Sequence, residues 1–161
     1  MRISERVDNA VRAMGVLAAA PDRGDGGPAA VNADTIASMQ SMSAPYLHDI
    51  LRDLKRAELV RSKRGPDGGF VLSRPASEIS LADIFRAVDG PLADVHDESL
   101  RSLSYAPPVA ELPTVWMAVR GGLRRVLETV TVADLVASEL PAVVVELADE
   151  YRRVTVERHG D

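Results

Sequence analysis

The stretch "RSKRGPDGGF", Arg61 to Phe70, decides the fold. Its first four residues hold three cations, a turn follows in Gly65, Pro66, Asp67, Gly68 and Gly69, and apolar residues resume at Phe70. Paired glycines also occur in loops that cradle phosphate, but those loops lead from a strand into a helix N-terminus, whereas this one leads into "FVLSR". Val71 and Leu72 favour a strand, so the segment reads as strand, turn, strand, a basic β-hairpin.

Upstream lie three helical patterns. Ser4 can cap an amphipathic helix over residues 5–19, in which Val7, Ala10, Val11, Met14, Leu17 and Ala18 recur at helical spacing. The stretch "PDRGDGGPAA" then reads as a solvated loop. Asn32 can cap a short helix, "ADTIASM", with Ile36 and Met39 facing inward. After "QSM", Ser43 can cap "APYLHDILRDLKRA", where Pro45 is tolerated in the first turn and Leu47, Ile50, Leu51 and Leu54 form an apolar stripe. His48, Asp49, Arg52, Lys55 and Arg56 cover its other face. A helix-turn-helix alone is a weak signal, since any helical hairpin produces it. Three helices followed at once by a basic hairpin give the order of a winged helix. "SLADIFRAVDG" closes the unit, with Ser80 and Asp83 as a near capping box and Gly90 as the stop.

Downstream, residues 91–112 read as a polar, proline-bearing connector. From Thr114 to about Val130, Trp116, Val119, Leu123, Val126 and Val130 are spaced three and four apart, the seam of a helix that packs along another helix and a candidate dimerisation surface. Thr131 and Asp134 form a further near capping box, and Pro141 opens a last helix with Val144, Leu147, Tyr151 and Val154 on one face. The expected fold is mainly α with a small β-hairpin, an α+β arrangement. It comprises a winged helix-turn-helix domain over 1–90, a connector over 91–112, a dimerisation helix region over 113–137 and a C-terminal helical extension over 138–161.

The 161 residues suffice for a good core, and 46% hydrophobic with 27% charged residues is the balance of a soluble globular chain. The absence of cysteine excludes disulfides, a thiol nucleophile and any cysteine-ligated zinc or iron–sulfur site. With no apolar leader and no run of membrane-span length, a cytoplasmic protein without a membrane partner is expected. The net charge of −5 is unevenly spread: residues 1–90 carry 12 basic and 12 acidic side chains, residues 91–161 carry 7 and 12. Residues 52–74 hold 7 basic against 3 acidic ones, a local basic patch that includes the hairpin. Asp94, His96, Asp97 and Glu98 could gather around a hard or borderline metal, although an acidic loop is the commoner outcome, so no metal site is assigned. No nucleophile-elbow, Walker or zinc-protease spacing occurs, so no catalytic residue is assigned and no enzyme is expected.

The run from Ser43 to Gly90 resembles the IscR/NsrR/CymR family of bacterial winged-helix transcription regulators. Ser43, Tyr46, Leu47, Leu51 and Leu54, then Ala57, Leu59 and Val60, then Ser62, Arg64, Gly65, Gly68 and Gly69, and finally Ile79, Leu81 and Asp83 carry the likeness. The first helix, the Ile36–Ala37 pair, "VW" before a long helix, and "TVADL" extend it over roughly residues 1–137. The resemblance implies a homodimer whose long helices cross and whose two winged helices meet a palindrome on double-stranded DNA. Recognition helices would enter major grooves about 34–36 Å apart, with wings in the flanking minor grooves. On that reading Ser43, Tyr46 and Lys55 contact or position on phosphate, and His48, Asp49 and Arg52 read bases. Lys63, Arg64 and Gly65 form the wing tip, with Arg64 matching the family's groove-inserting arginine.

The departures are informative. Cluster-binding members carry three cysteines in the connector, and here there are none, so no cofactor is expected. Asp8 matches an acidic cluster ligand of the nitric-oxide-sensing members, but without thiolates it reads as a solvated carboxylate. His48 and Asp49 replace the residues usual in cluster-type members, so their operator cannot be carried over. Glu58 stands where a helix-stopping glycine is usual, at a cost of about 1 kcal/mol if the backbone there is left-handed. The reading is a homodimeric, sequence-specific transcription repressor. One hypothesis for its control is a small-molecule effector or a regulatory protein that shifts the angle between the winged helices, and the alternative is a constitutive repressor. Its rival is a winged helix used only as a protein-interaction module, against which the basic hairpin argues.

Overall fold

The computed structural model describes residues 3–22, 27–91 and 103–158, the last four of these by backbone only. α1 (Glu5–Ala18), α2 (Ala33–Gln40) and α3 (Ala44–Arg56) come first, followed by β1 (Val60–Lys63) and β2 (Gly69–Leu72). A 3₁₀ turn (Ala76–Glu78), α4 (Leu81–Asp89), α5 (Leu112–Leu127), α6 (Val132–Ala137) and α7 (Ala142–Arg158) complete the chain.

Helix starts follow the sequence closely. Ser4 and Asn32 accept the N–H groups of Val7 and Thr35, leaving fewer orphan donors in the first turns of α1 and α2. Ser80 with Asp83, and Thr131 with Asp134, form complete capping boxes. Ser43 occupies the cap position of α3, but its hydroxyl makes no capping bond; its carbonyl accepts the Leu47 N–H at 2.9 Å.

α1, α2, α3 and α4 pack around one core in which Met14, Ile36, Leu47, Ile50, Leu51, Leu54, Ile79 and Ile84 are fully buried. Met39, expected inside, is 63% exposed. The inward row of α2 is Ala33, Ile36 and Ala37, and at about 100° per residue Met39 falls round the side of the helix.

β1 and β2 pair antiparallel, Val60 opposite Leu72 and Lys63 opposite Gly69. A third strand position, missed from sequence, comes from Val31, which exchanges two hydrogen bonds with Phe70 at 3.0 and 2.8 Å. The loop read as merely solvated is also tied at its base, where Asp22 bridges Pro28.

The core extends beyond residue 90. Val132, fully buried, joins it, and α6 packs on α1 and the 3₁₀ turn. Leu81 N–H donates to Val130 O and Val132 N–H to Ile79 O, both at 2.9 Å, so the chain after α5 is sewn back to the start of α4. This corrects the seam. α5 ends at Leu127, and Val130 lies past it at 2% exposure inside its own chain, out of reach of a second copy.

Candidate nucleic-acid interface

The outer face of α3 carries the predicted readers. His48 and Arg52 are exposed, Asp49 is half-buried, and Arg52 Nη2 lies 2.9 Å from Asp49 Oδ1. Such an exposed pair, three residues apart, contributes only about 0.2–0.5 kcal/mol, so a stronger acceptor can displace it. Tyr46 is half-buried with its ring against the core, which fixes the first turn of the helix.

What orients α3 was not legible. Asp53 is 9% exposed and is held by Arg6 of α1 and by Arg56, the latter at 2.9 Å. A buried carboxylate needs such partners, and here they clamp the inner side of α3 to α1. Arg12 adds a second brace, donating to Asn9 Oδ1 at 3.0 Å, to Gln40 Oε1 at 3.1 Å and to the Gln40 carbonyl at the end of α2. Both braces join residues far apart in sequence and leave no local pattern.

α3 ends in a tight motif that starts the wing. Glu58 N–H donates to Lys55 O at 3.1 Å and Leu59 N–H to Leu54 O at 2.9 Å, with Glu58 left-handed at φ 57° and Leu59 packed into the core. Lys55 Nζ then donates to Ser62 Oγ at 2.9 Å, so the exposed end of α3 and strand β1 form one surface. At the tip, Gly65 O accepts the Gly68 N–H at 2.9 Å around Pro66 and Asp67, and Gly65 takes a φ of 112° that favours glycine. Gly69 has a different reason: a Cβ there would lie 2.5 Å from the backbone of Val31. Arg61, Lys63 and Arg64 are exposed, and none has a carboxylate partner among the described residues. Strand periodicity puts Arg61 and Lys63 on one face.

α5 meets the body of the protein mainly through α4. Glu128, just past its end, accepts from Arg124 Nε at 2.9 Å and from Arg86 of α4, and those two arginines hold its carboxyl below the usual glutamate value. Two hydrogen bonds from Thr131 likewise lower that of Asp134. Along α5, Trp116 is 37% and Val119 49% exposed, while Leu123 and Val126 are half-buried.

The winged helix and its basic edge are matched by a family model. Residues 3–138 match Rrf2, described as an iron-dependent transcriptional regulator. The chain belongs to the Rrf2 family. It is therefore a helix-turn-helix transcriptional regulator and not an enzyme. This Rrf2 protein is 44% identical over 160 residues to Rv1287 of Mycobacterium tuberculosis, covering 99% of this chain and 96% of the relative. Its fold is similar to that of CymR, the global cysteine regulator of Bacillus subtilis, with a TM-score of 0.69 at 29% identity, covering 86% of this chain and 98% of CymR. It is similar also to T. potens IscR, with a TM-score of 0.65 at 31% identity, covering 86% and 88% of the two chains. The expected winged helix of that family is thus what the Rrf2 chain adopts.

The family description speaks of iron, and the donor set here does not fit a cluster. Iron–sulfur clusters are held by cysteine thiolates, and this Rrf2 chain has no cysteine. Asp8 is an exposed carboxylate 3.5 Å from Arg12, as expected of a solvated side chain. Among the described residues no three His, Asp or Glu side chains converge as metal ligands. Asp94, His96, Asp97 and Glu98 lie outside the described residues. No described helix is long and apolar enough to cross a membrane.

Proposed function

We propose that this Rrf2 regulator binds a palindromic operator as a homodimer and represses transcription without an iron–sulfur cluster. The observation that carries the reading is the continuity of the exposed α3 face with a wing whose cations Arg61, Lys63 and Arg64 have no intramolecular partner among the described residues. Cations left uncommitted on one edge of an acidic protein are suited to phosphate, and each phosphate they neutralise releases counterions. The Ser43 hydroxyl, not used in capping, is available to a phosphate oxygen. His48, Asp49 and Arg52 take the base edges, Lys55 and Tyr46 position the helix, and Lys63, Arg64 and Gly65 enter the minor groove.

Dimerisation is supported by the exposed row of Trp116 and Val119, continued by half-buried Leu123 and Val126. A helix this apolar and this little covered needs a partner. In this partition the winged helix reads DNA and α5 sets the separation of the two readers.

The test is footprinting of DNA upstream of the protein's own coding sequence, with affinity titrated over a salt series. The expected result is a protected inverted repeat and an affinity that falls linearly on logarithmic axes with salt. Absence of any protected site, together with affinity indifferent to salt, would overturn the reading.

A further inference from the structure

α7 lies beyond the family match, which ends at residue 138. The alignment with Rv1287 spans 99% of this chain and so takes in the helix, whereas 98% of CymR is matched by only 86% of this chain. The helix therefore lies outside the stretch that the family model matches, and it is little packed. Among the described residues α7 packs extensively on no other element, and Leu147 is 46% and Val154 43% exposed. Most helical stability in proteins comes from packing an apolar face, so a lasting α7 of 17 residues needs a surface to cover.

Its pattern says what kind of surface. At about 100° per residue, Val143, Val144, Leu147, Ala148 and Val154 fall within an arc of roughly 140°. Glu146 and Glu150 border one margin of that arc.

α5 presents the complement. From Ala118 through Val115 and Val119 to Trp116, its apolar and small residues span roughly 160°, wider than the roughly 100° stripe that a single neighbouring helix needs. Val115 and Val119 are 51% and 49% exposed. The half of the arc toward Trp116 serves the crossing with the second α5; the half toward Ala118 is left over, and Arg125 borders it. A cation on that margin faces the need of an acidic margin on α7. Among the described residues α7 does not pack extensively on the α5 of its own chain, and α6 between them packs on α1 and carries the buried Val132.

We propose that α7 is exchanged between the two copies of the dimer, its apolar face lying along the leftover half of the partner's α5. The proposal rests on the homodimer reading given above. It makes the C-terminal extension a clasp that tightens the dimer.

The test uses the full chain with benzoylphenylalanine in place of Leu147, mixed with isotopically labelled copies and irradiated. The expected product is a covalent dimer whose cross-linked peptide comes from residues 112–127 of the labelled copy. Adducts confined to one copy, or to another surface, overturn the exchange. Leu147→Asp, at an exposed position of its own chain, is expected to raise the dimer dissociation constant roughly tenfold or more in sedimentation equilibrium. Glu146→Arg is expected to weaken the dimer, and Arg125→Glu added to it to restore affinity. A dimer unaffected by Leu147→Asp overturns the exchange and leaves the homodimer standing; a chain that sediments as a monomer overturns both.

Discussion

Glu58→Gly is expected to stabilise the protein, and the structure gives the size of the effect. Glu58 holds φ 57° in the motif that ends α3, where Leu59 N–H bonds Leu54 O at 2.9 Å and Leu59 itself is 2% exposed. The buried leucine and the two closing hydrogen bonds over-determine the turn, so the backbone stays left-handed whatever residue is there. A residue with a Cβ loses about 1–2 kcal/mol in that conformation. Glycine avoids this loss but gives up about 0.4–1 kcal/mol through the greater freedom of its unfolded chain. The difference is a gain of about 0.5–1 kcal/mol, or about 1–4 °C in Tm for a chain of this length. The Glu58 side chain is exposed and has no ion pair among the described residues, so nothing offsets the gain. Urea unfolding at fixed protein concentration is the assay, because the proposed dimerisation would make the midpoint concentration-dependent. The midpoint should rise with an unchanged slope, while Glu58→Ala, which keeps the Cβ, should not raise it. A glycine variant no more stable than the alanine variant would refute the strain argument.

The other expectations concern the wing, the operator and the root of α5. Gly69→Ala puts a methyl group 2.5 Å from the Val31 backbone, which cannot swing aside as a side chain could, so a loss of about 1–3 kcal/mol is expected in thermal melts; an unchanged melting temperature would remove the wing contact from the argument. Arg64→Ala should lower operator affinity by about 1–3 kcal/mol if the guanidinium reads the groove, or weaken all sequences alike and flatten the salt slope by about 1 if it meets phosphate; an unchanged footprinting titration would take the wing out of recognition. Glu128→Gln tests the tie between α4 and α5 by pH. Because the folded carboxyl titrates below its ordinary value of 4.5, its contribution is complete above that value and is lost as pH falls through the folded one. Parent and variant should therefore differ in stability at neutral pH and converge in acid, and a constant gap would contradict the ion pairs.

Much of this was legible because the signals are local. The Gly-Pro-Asp-Gly turn, the capping serines and threonine, and the fully buried Leu47, Ile50, Leu51 and Leu54 stripe each follow from residues close in sequence. Met39 was misplaced because a short helix offers too few turns to fix its inward face. Val130 continued a regular spacing; the Thr131 cap marked the start of the next helix, but nothing local announced that the chain before it would leave α5 to pair with the start of α4. The Val31 bridge was invisible because one residue makes no strand pattern.

The sequence by itself determined the winged-helix order, the basic character of the wing and the impossibility of thiolate ligation, since each depends on residue identity and short-range spacing. Tertiary structure decided the rest. Only folding brings Arg6 and Arg12 from α1 against Asp53 and Gln40, seats Gly69 on Val31, and returns Val132 to the core. Those contacts join residues tens of positions apart, and their geometry is set by how helices of given length and twist stack, which no one-dimensional period encodes.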